Sequence, residues 1–185
     1  MVAKRVSFKI AGRVPIGGDS PVVVQTMCNT STDDIEGSVA QCRAMAAAGA
    51  DLIRLTTQGL KQVESLRIIR DRLRAEGIDT PLVADIHFLA DAALAAASVA
   101  DKVRINPGNF AREHSVACAK FAELIELCKK QGATIRIGLN HGSLGERITQ
   151  RYGATARKTR RWSASATARF SPRASTRYLQ KSFPA

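Results

Sequence analysis

From residue 21 the chain alternates short β-branched runs with longer segments of helical periodicity, and this alternation narrows the fold more than any other feature. "PVVVQTM" (21–27), bounded by Pro21, reads as a buried strand. In "TSTDDIEGSVAQCRAMAAAGA", Thr32 and two aspartates are expected to cap a helix that Gly49 ends. Then follow "DLIRLT" (strand), "GLKQVESLRIIRDRLRAEG" (helix), "PLVADIH" (strand), "LADAALAAASVA" (helix), "KVRINPG" (strand), "REHSVACAKFAELIELCKKQG" (helix) and "TIRIGLN" (strand). "SLGERITQRYG" opens a fifth helix. Strand starts recur every 20 to 32 residues, with a helix available to cover a sheet face each time. The pattern predicts right-handed βαβ units and a parallel sheet. A doubly wound sheet and a barrel both fit this period, but no Gly-x-Gly-x-x-Gly follows any strand, against a dinucleotide-binding sheet.

The polar residues favour the barrel. Strands of a parallel sheet are buried on both faces and should be nearly all apolar. These begin apolar and turn polar toward their carboxyl ends: Arg54 on the second; Asp85 and His87 on the third; Arg104 and Asn106 on the fourth; Arg136, Asn140 and His141 on the fifth. Two- and four-residue spacings put Asp85 with His87, Arg104 with Asn106, and Arg136 with Asn140 on common faces. In a (β/α) barrel the carboxyl ends of the strands are where active sites are built. A buried unpaired charge is costly, so several strands accepting one together suggests a shared ligand. Three converging arginines would form a cationic pocket whose forks suit phosphate or carboxylate oxygens. The turns "INPGN" and "NHGS" offer backbone N–H groups to the same anion. The plainer alternative pairs each arginine with a neighbouring aspartate in a structural network. For Asp85 a substrate hydroxyl, and for His87 proton donation or a phosphate contact, are preferred over metal ligation, for which two histidines and one aspartate are thin support.

Charge and cysteines limit the other classes. The chain has 185 residues, enough for one domain with a sizeable core. Its net charge is +12, with 28 Lys+Arg against 16 Asp+Glu. Residues 151–185 hold 9 of the basic residues and no acid, which leaves 19 against 16, or +3, for residues 1–150. The body is thus nearly balanced, and a nucleic-acid reading rests on the tail alone. Cys28, Cys42, Cys118 and Cys128 form no Cys-x-x-Cys pair and read as small buried hydrophobes in a reducing compartment. No apolar run approaches the roughly 18 residues of a membrane span, and the start resembles no signal peptide, so a cytoplasmic protein is expected.

Five blocks in order, "VPIGG…PVVVQTM…T.TDD", "AGADLIRLT", "PLVADIHF", "KVRINPGN" and "IRIGLNHGSL..R....YG", resemble the amino-terminal barrel of the 4-hydroxy-3-methylbut-2-en-1-yl diphosphate synthase family. The resemblance runs from about residue 5 to residue 153. It implies an oxidoreductase of non-mevalonate isoprenoid (terpenoid) biosynthesis. Such an enzyme opens the ring of 2-C-methyl-D-erythritol 2,4-cyclodiphosphate reductively and dehydrates it. Two electrons come from flavodoxin or ferredoxin through a [4Fe–4S] cluster. Carried over position by position, it implies Arg54, Arg104, Asn106, Arg136, Asn140 and Ser143 as diphosphate or substrate-orienting residues, with Asp85 and His87 as the pair close to the substrate. The complete protein is expected to be a homodimer.

The chain also departs from that family. A TIM-type (β/α) barrel needs eight strand–helix units and roughly 250 residues, and only about five units are read here. The family's cluster ligands, three cysteines and a glutamate beyond the barrel, have no counterpart, so no metal ligand is assigned. Residues 1–153 are therefore expected to be the front of a substrate-binding barrel, inactive alone. Residues 154–185 are expected to be a basic, low-complexity, disordered tail. From 151 on there are 5 Ser, 4 Thr and 7 Ala among 35 positions, the composition a GC-rich gene yields when read out of frame. Reading the nucleotides beyond codon 153 in the other two frames tests this. Two other readings remain: a pterin-binding-like barrel transferase, and nucleic-acid binding by the tail through its basic residues with Trp162, Phe170 and Tyr178.

Overall fold

The computed structural model describes residues 7–139 and residue 150. Five parallel strands form one sheet in the order β3 (Gln25–Met27), β4 (Leu52–Thr56), β5 (Leu82–Asp85), β6 (Lys102–Ile105) and β7 (Thr134–Ile137). Each consecutive pair is joined by one helix: α1 (Ile35–Ala47), α2 (Leu60–Ala75), α3 (Ala90–Ala96) and α4 (His114–Gln131). Strand order equals chain order throughout, without the reversal that a doubly wound sheet requires.

Side-chain alternation explains how the helices are placed. Ile53, Leu55, Leu82, Ala84, Val103 and Ile105 point to one face. There they pack with Val39 and Cys42 of α1, Val63, Leu66, Ile69 and Leu73 of α2, the alanines of α3, and Leu124 and Cys128 of α4. All four helices therefore bury their apolar stripes against the same side of the sheet. The opposite side is the inner face of an incomplete α/β barrel. Small residues let α3 lie close: Ala92, Ala93 and Ala96 are fully buried.

A short antiparallel hairpin, β1 (Phe8–Ile10) and β2 (Val14–Ile16), precedes the sheet and was not anticipated from the sequence. Its turn takes Ala11 and Gly12 into the left-handed region, at φ 50° and 67°. Ile10 packs on Leu52 and Val83, the inner-face residues nearest the amino ends of their strands, with Val14 and Ile16 alongside. The hairpin thus floors the inner face at the end away from the polar residues.

Three expectations are corrected. The first strand is shorter than 21–27, because β4 begins only at Leu52 and offers no ladder partner before Gln25; Val22 is 93% exposed. Of the residues expected to cap α1, one of the two aspartates does so and Thr32 does not. Asp34 is the cap, accepting from the Gly37 N–H at 3.1 Å, while the Thr32 hydroxyl donates to the Thr56 carbonyl at 2.6 Å and ties that loop to the end of β4. Strand β6 ends at Ile105, where a short 3₁₀ turn over Pro107–Asn109 takes over. The expected fifth helix lies outside the described residues except for Gln150.

Cys28, Cys42 and Cys128 are buried and Cys118 partly so, all as free thiols. Burial pushes the Cys128 thiol up to about 11, in keeping with an inert core residue. Among the described residues no helix is long and apolar enough to cross a membrane.

Candidate functional site

Register assembles the site from residues far apart in sequence. Pairing sets Arg54 beside Val83, Thr56 beside Asp85, and Asp85 beside Arg104; Arg104 in turn faces Arg136 on β7. Because side chains alternate, Arg54, Asp85, Arg104 and Arg136 all emerge on the inner face near the carboxyl ends of their strands. In barrels that end carries the chemistry.

Asp85 is the hub. Its side chain is 1% exposed and three groups converge on it. Arg104 Nη1 donates to Oδ1 at 3.2 Å, Arg54 Nη2 donates to Oδ2, and His87 Nε2 lies 3.1 Å from the same Oδ2. Four residues singled out from the sequence, Arg54, Asp85, His87 and Arg104, therefore meet at one point. The structural-pairing alternative accounts for part of this, since both arginines do find an aspartate. They find the same one, however, and Arg54 Nε stays buried without a hydrogen-bond partner among the described residues.

Arg136 lies beside Arg104 but does not reach Asp85, and its side chain extends to solvent. Partial desolvation, then the charges of Arg54 and Arg104, push its guanidinium pKa below the ordinary value, with Asp85 opposing. Asn106 is buried, and its side chain accepts from the Gly108 N–H at 3.2 Å. Its oxygen thus holds the "INPGN" turn and leaves the amide NH₂ for other partners. His87 is half-buried at the rim, with its ring edge to face against Phe88. Asn140, His141 and Ser143 lie outside the described residues.

Two residues of the site escaped the sequence reading. Lys102 alternates with Arg104 and Asn106 onto the inner face and is only 7% exposed. Burial, followed by the Arg136 and Arg54 charges, pushes its pKa down to about 8. The two-residue period of "KVRIN" was the available signal. Gly138, two residues beyond Arg136, leaves room for Arg104: a Cβ there would clash with Nε, Cζ and Nη2 of that guanidinium. Counted together, Arg54, Lys102, Arg104 and Arg136 supply four positive charges to one carboxylate, an excess of three among the described residues. Such a face can hold a multiply charged anion through arginine forks, with a histidine at its edge to give or take a proton.

No group of three or more His, Cys, Asp or Glu side chains able to hold a metal ion occurs among the described residues. The four cysteines do not fit an iron–sulfur centre: Cys28 and Cys42 form a buried pair, their sulfurs 3.6 Å apart, and the other two lie on α4.

Comparison with known proteins identifies the family. The family model described as the GcpE TIM-barrel domain matches residues 7–177. A Phocaeicola vulgatus protein named 4-hydroxy-3-methylbut-2-en-1-yl diphosphate synthase (flavodoxin) is 43% identical over 161 residues, covering 78% of this chain and 26% of its own length. Proteins of the same name from Bacteroides thetaiotaomicron and Chlamydia abortus are 44% and 43% identical, over 78% and 80% of this chain. The chain spans about a quarter of the length of the curated relatives it matches.

Proposed function

The chain belongs to the GcpE TIM-barrel family, and from that membership together with its inner face we propose that it is the substrate-binding front of a 4-hydroxy-3-methylbut-2-en-1-yl diphosphate synthase. The observation that carries the reading is one buried carboxylate set among four cations, where an anion of two or more charges would complete the balance. The proposed substrate is 2-C-methyl-D-erythritol 2,4-cyclodiphosphate. Arg104 and Arg136, at equivalent depth on adjacent strands, grip the diphosphate oxygens. Arg54, whose Nε has no protein partner among the described residues, adds a third fork. Asp85 holds the Arg54 and Arg104 guanidinium planes in place, and the half-buried His87 supplies a proton donor beside the leaving oxygen. Asn106 is assigned as an orienting residue, and the family resemblance adds Asn140 and Ser143 to that role.

In the complete reaction two electrons enter, the ring C–O bond breaks and water leaves. The relatives' names print flavodoxin as the donor, and we assign the same donor class here, with an iron–sulfur centre as the carrier. The described cysteines do not fit such a centre, so this chain's own part is to bind, orient and exchange protons.

The test is calorimetric titration of the cyclodiphosphate into the unsubstituted and Arg104→Ala proteins. Loss of one charged hydrogen-bond partner should weaken binding by roughly 1.5–3 kcal/mol. Equal affinities would remove Arg104 from the pocket and the reading with it.

A further inference from the structure

Lys102 adds its charge to the inner face, but unlike Arg54, Arg104 and Arg136 it has been given no contact with the ligand. It opens β6 directly below Arg104, and register sets it between Val83 and Thr134, neither of which can neutralise it. No hydrogen bond or ion pair holds its ammonium among the described residues. Lysines that pass through apolar surroundings normally extend their charge to water, and this one is held to a narrow opening, with 7% of the residue exposed.

The groups facing it from the packed elements are mostly of its own sign. Arg54 comes from β4, Arg136 from β7, and Arg104 from its own strand. Asp85 on β5, with His87 just beyond, is the single carboxylate of this face among the described residues and is already shared by Arg54, Arg104 and His87. The hairpin beneath contributes Ile10, Val14 and Ile16 to the same layer, all uncharged.

We propose that Lys102 is a proton-linked member of the anion pocket, which gains a proton at Nζ when a diphosphate group settles over Arg54, Arg104 and Arg136. The inference rests on the diphosphate reading of that pocket. Its electrostatics follow from the surroundings: burial and two neighbouring guanidinium groups disfavour the ammonium, and an anion offsets the repulsion from both. The step is a simple transfer in which a buffer acid gives its proton to the Nζ lone pair and leaves as the conjugate base. With its pKa brought down to about 8, Lys102 is half protonated at that pH. Complete protonation on binding therefore takes up about half a proton.

The measurement is titration calorimetry of inorganic diphosphate into the full chain at pH 8, in buffers of different ionisation enthalpy, for the unsubstituted, Lys102→Met and Lys102→Arg proteins. Diphosphate brings its own proton changes, which are common to all three. The expected result is that the unsubstituted protein takes up about half a proton more than either variant, consistent with a group half charged before binding. Lys102→Arg, charged throughout, should bind at least as tightly as the parent, and it provides the comparison by itself if Lys102→Met does not fold. Binding by all three proteins with equal proton uptake overturns the role of Lys102 while leaving the pocket intact. Absence of diphosphate binding by the unsubstituted protein overturns the pocket reading and this inference together.

Discussion

Replacing Asp85 by Asn keeps the shape of the hub and removes its charge. Two guanidinium groups, 22% and 13% exposed, then lose their shared counter-ion, and the neighbouring Arg136 loses the Asp85 charge that favours its ionised form. Breaking a buried ion pair by deleting one partner costs about 3–5 kcal/mol. The two arginines keep some access to water, and the Asn oxygen can still accept one hydrogen bond, which places the expected loss near the lower bound, about 3 kcal/mol. For a chain of this size that is a fall in melting temperature of roughly 6–12 °C. The assay is thermal unfolding followed by circular dichroism, with and without inorganic diphosphate. A ligand that binds only the folded state stabilises it according to its concentration relative to Kd, and four uncompensated cations should hold the anion more tightly than four cations sharing one carboxylate. Diphosphate should therefore raise the melting temperature of Asp85→Asn more than that of the parent. If the variant melts within a degree or two of the parent and diphosphate shifts both equally, Asp85 is not the counter-ion of this cluster and the reasoning fails.

Gly138→Ala should weaken diphosphate binding about as much as Arg104→Ala, roughly 1.5–3 kcal/mol, because the added Cβ must push the Arg104 guanidinium aside; calorimetry showing parental affinity would dismiss the contact. Stability should also depend on pH through Lys102. Its pKa falls from 10.5 to about 8 on folding, so between those values the unfolded chain binds more protons and stability rises with pH. The destabilisation present below pH 8 is about 3 kcal/mol at most and is gone above pH 10.5. Denaturant midpoints measured from pH 7 to 10.5 should climb for the parent and stay flatter for Lys102→Met; parallel curves would show that Lys102 is not desolvated.

The parts of the site that could be read in the sequence are those set by local period. Alternation alone places Asp85 with His87 and Arg104 with Asn106 on common faces, and strand ends rich in charge mark the functional end of a barrel. What alternation cannot supply is register, because the pairing of one strand with the next is a long-range property. That Arg54 and Arg104 share one carboxylate, and that Arg136 stays clear of it, follows only from the pairing of β4, β5, β6 and β7. Gly138 was opaque for the same reason: its missing Cβ matters only because an arginine from the adjacent strand crosses above it. The hairpin Phe8–Ile16 was missed because three-residue strands give too short a window for any period to register.

The surface helices offer an internal standard for judging the inner face. There the chain matches cations to nearby carboxylates: Arg43 with Glu76 at 2.7 Å, Lys129 with Glu126 at 2.7 Å, Arg72 with Glu36, and Arg67 between Glu64 and Asp71. Those pairs are exposed and individually worth little, about 0–1 kcal/mol. On the inner face, where burial makes an unmatched charge far more costly, the same chain places three buried or partly buried cations, Arg54, Lys102 and Arg104, and the more exposed Arg136 around one carboxylate among the described residues. A face shaped for stability alone would reverse that distribution, matching charges where desolvation is severe and tolerating mismatch where water screens it. The excess is intelligible if the missing negative charge arrives with a ligand. Folding then carries a cost that binding relieves, and the destabilisation assigned to Lys102 and the added anion response of Asp85→Asn are two measures of that one imbalance.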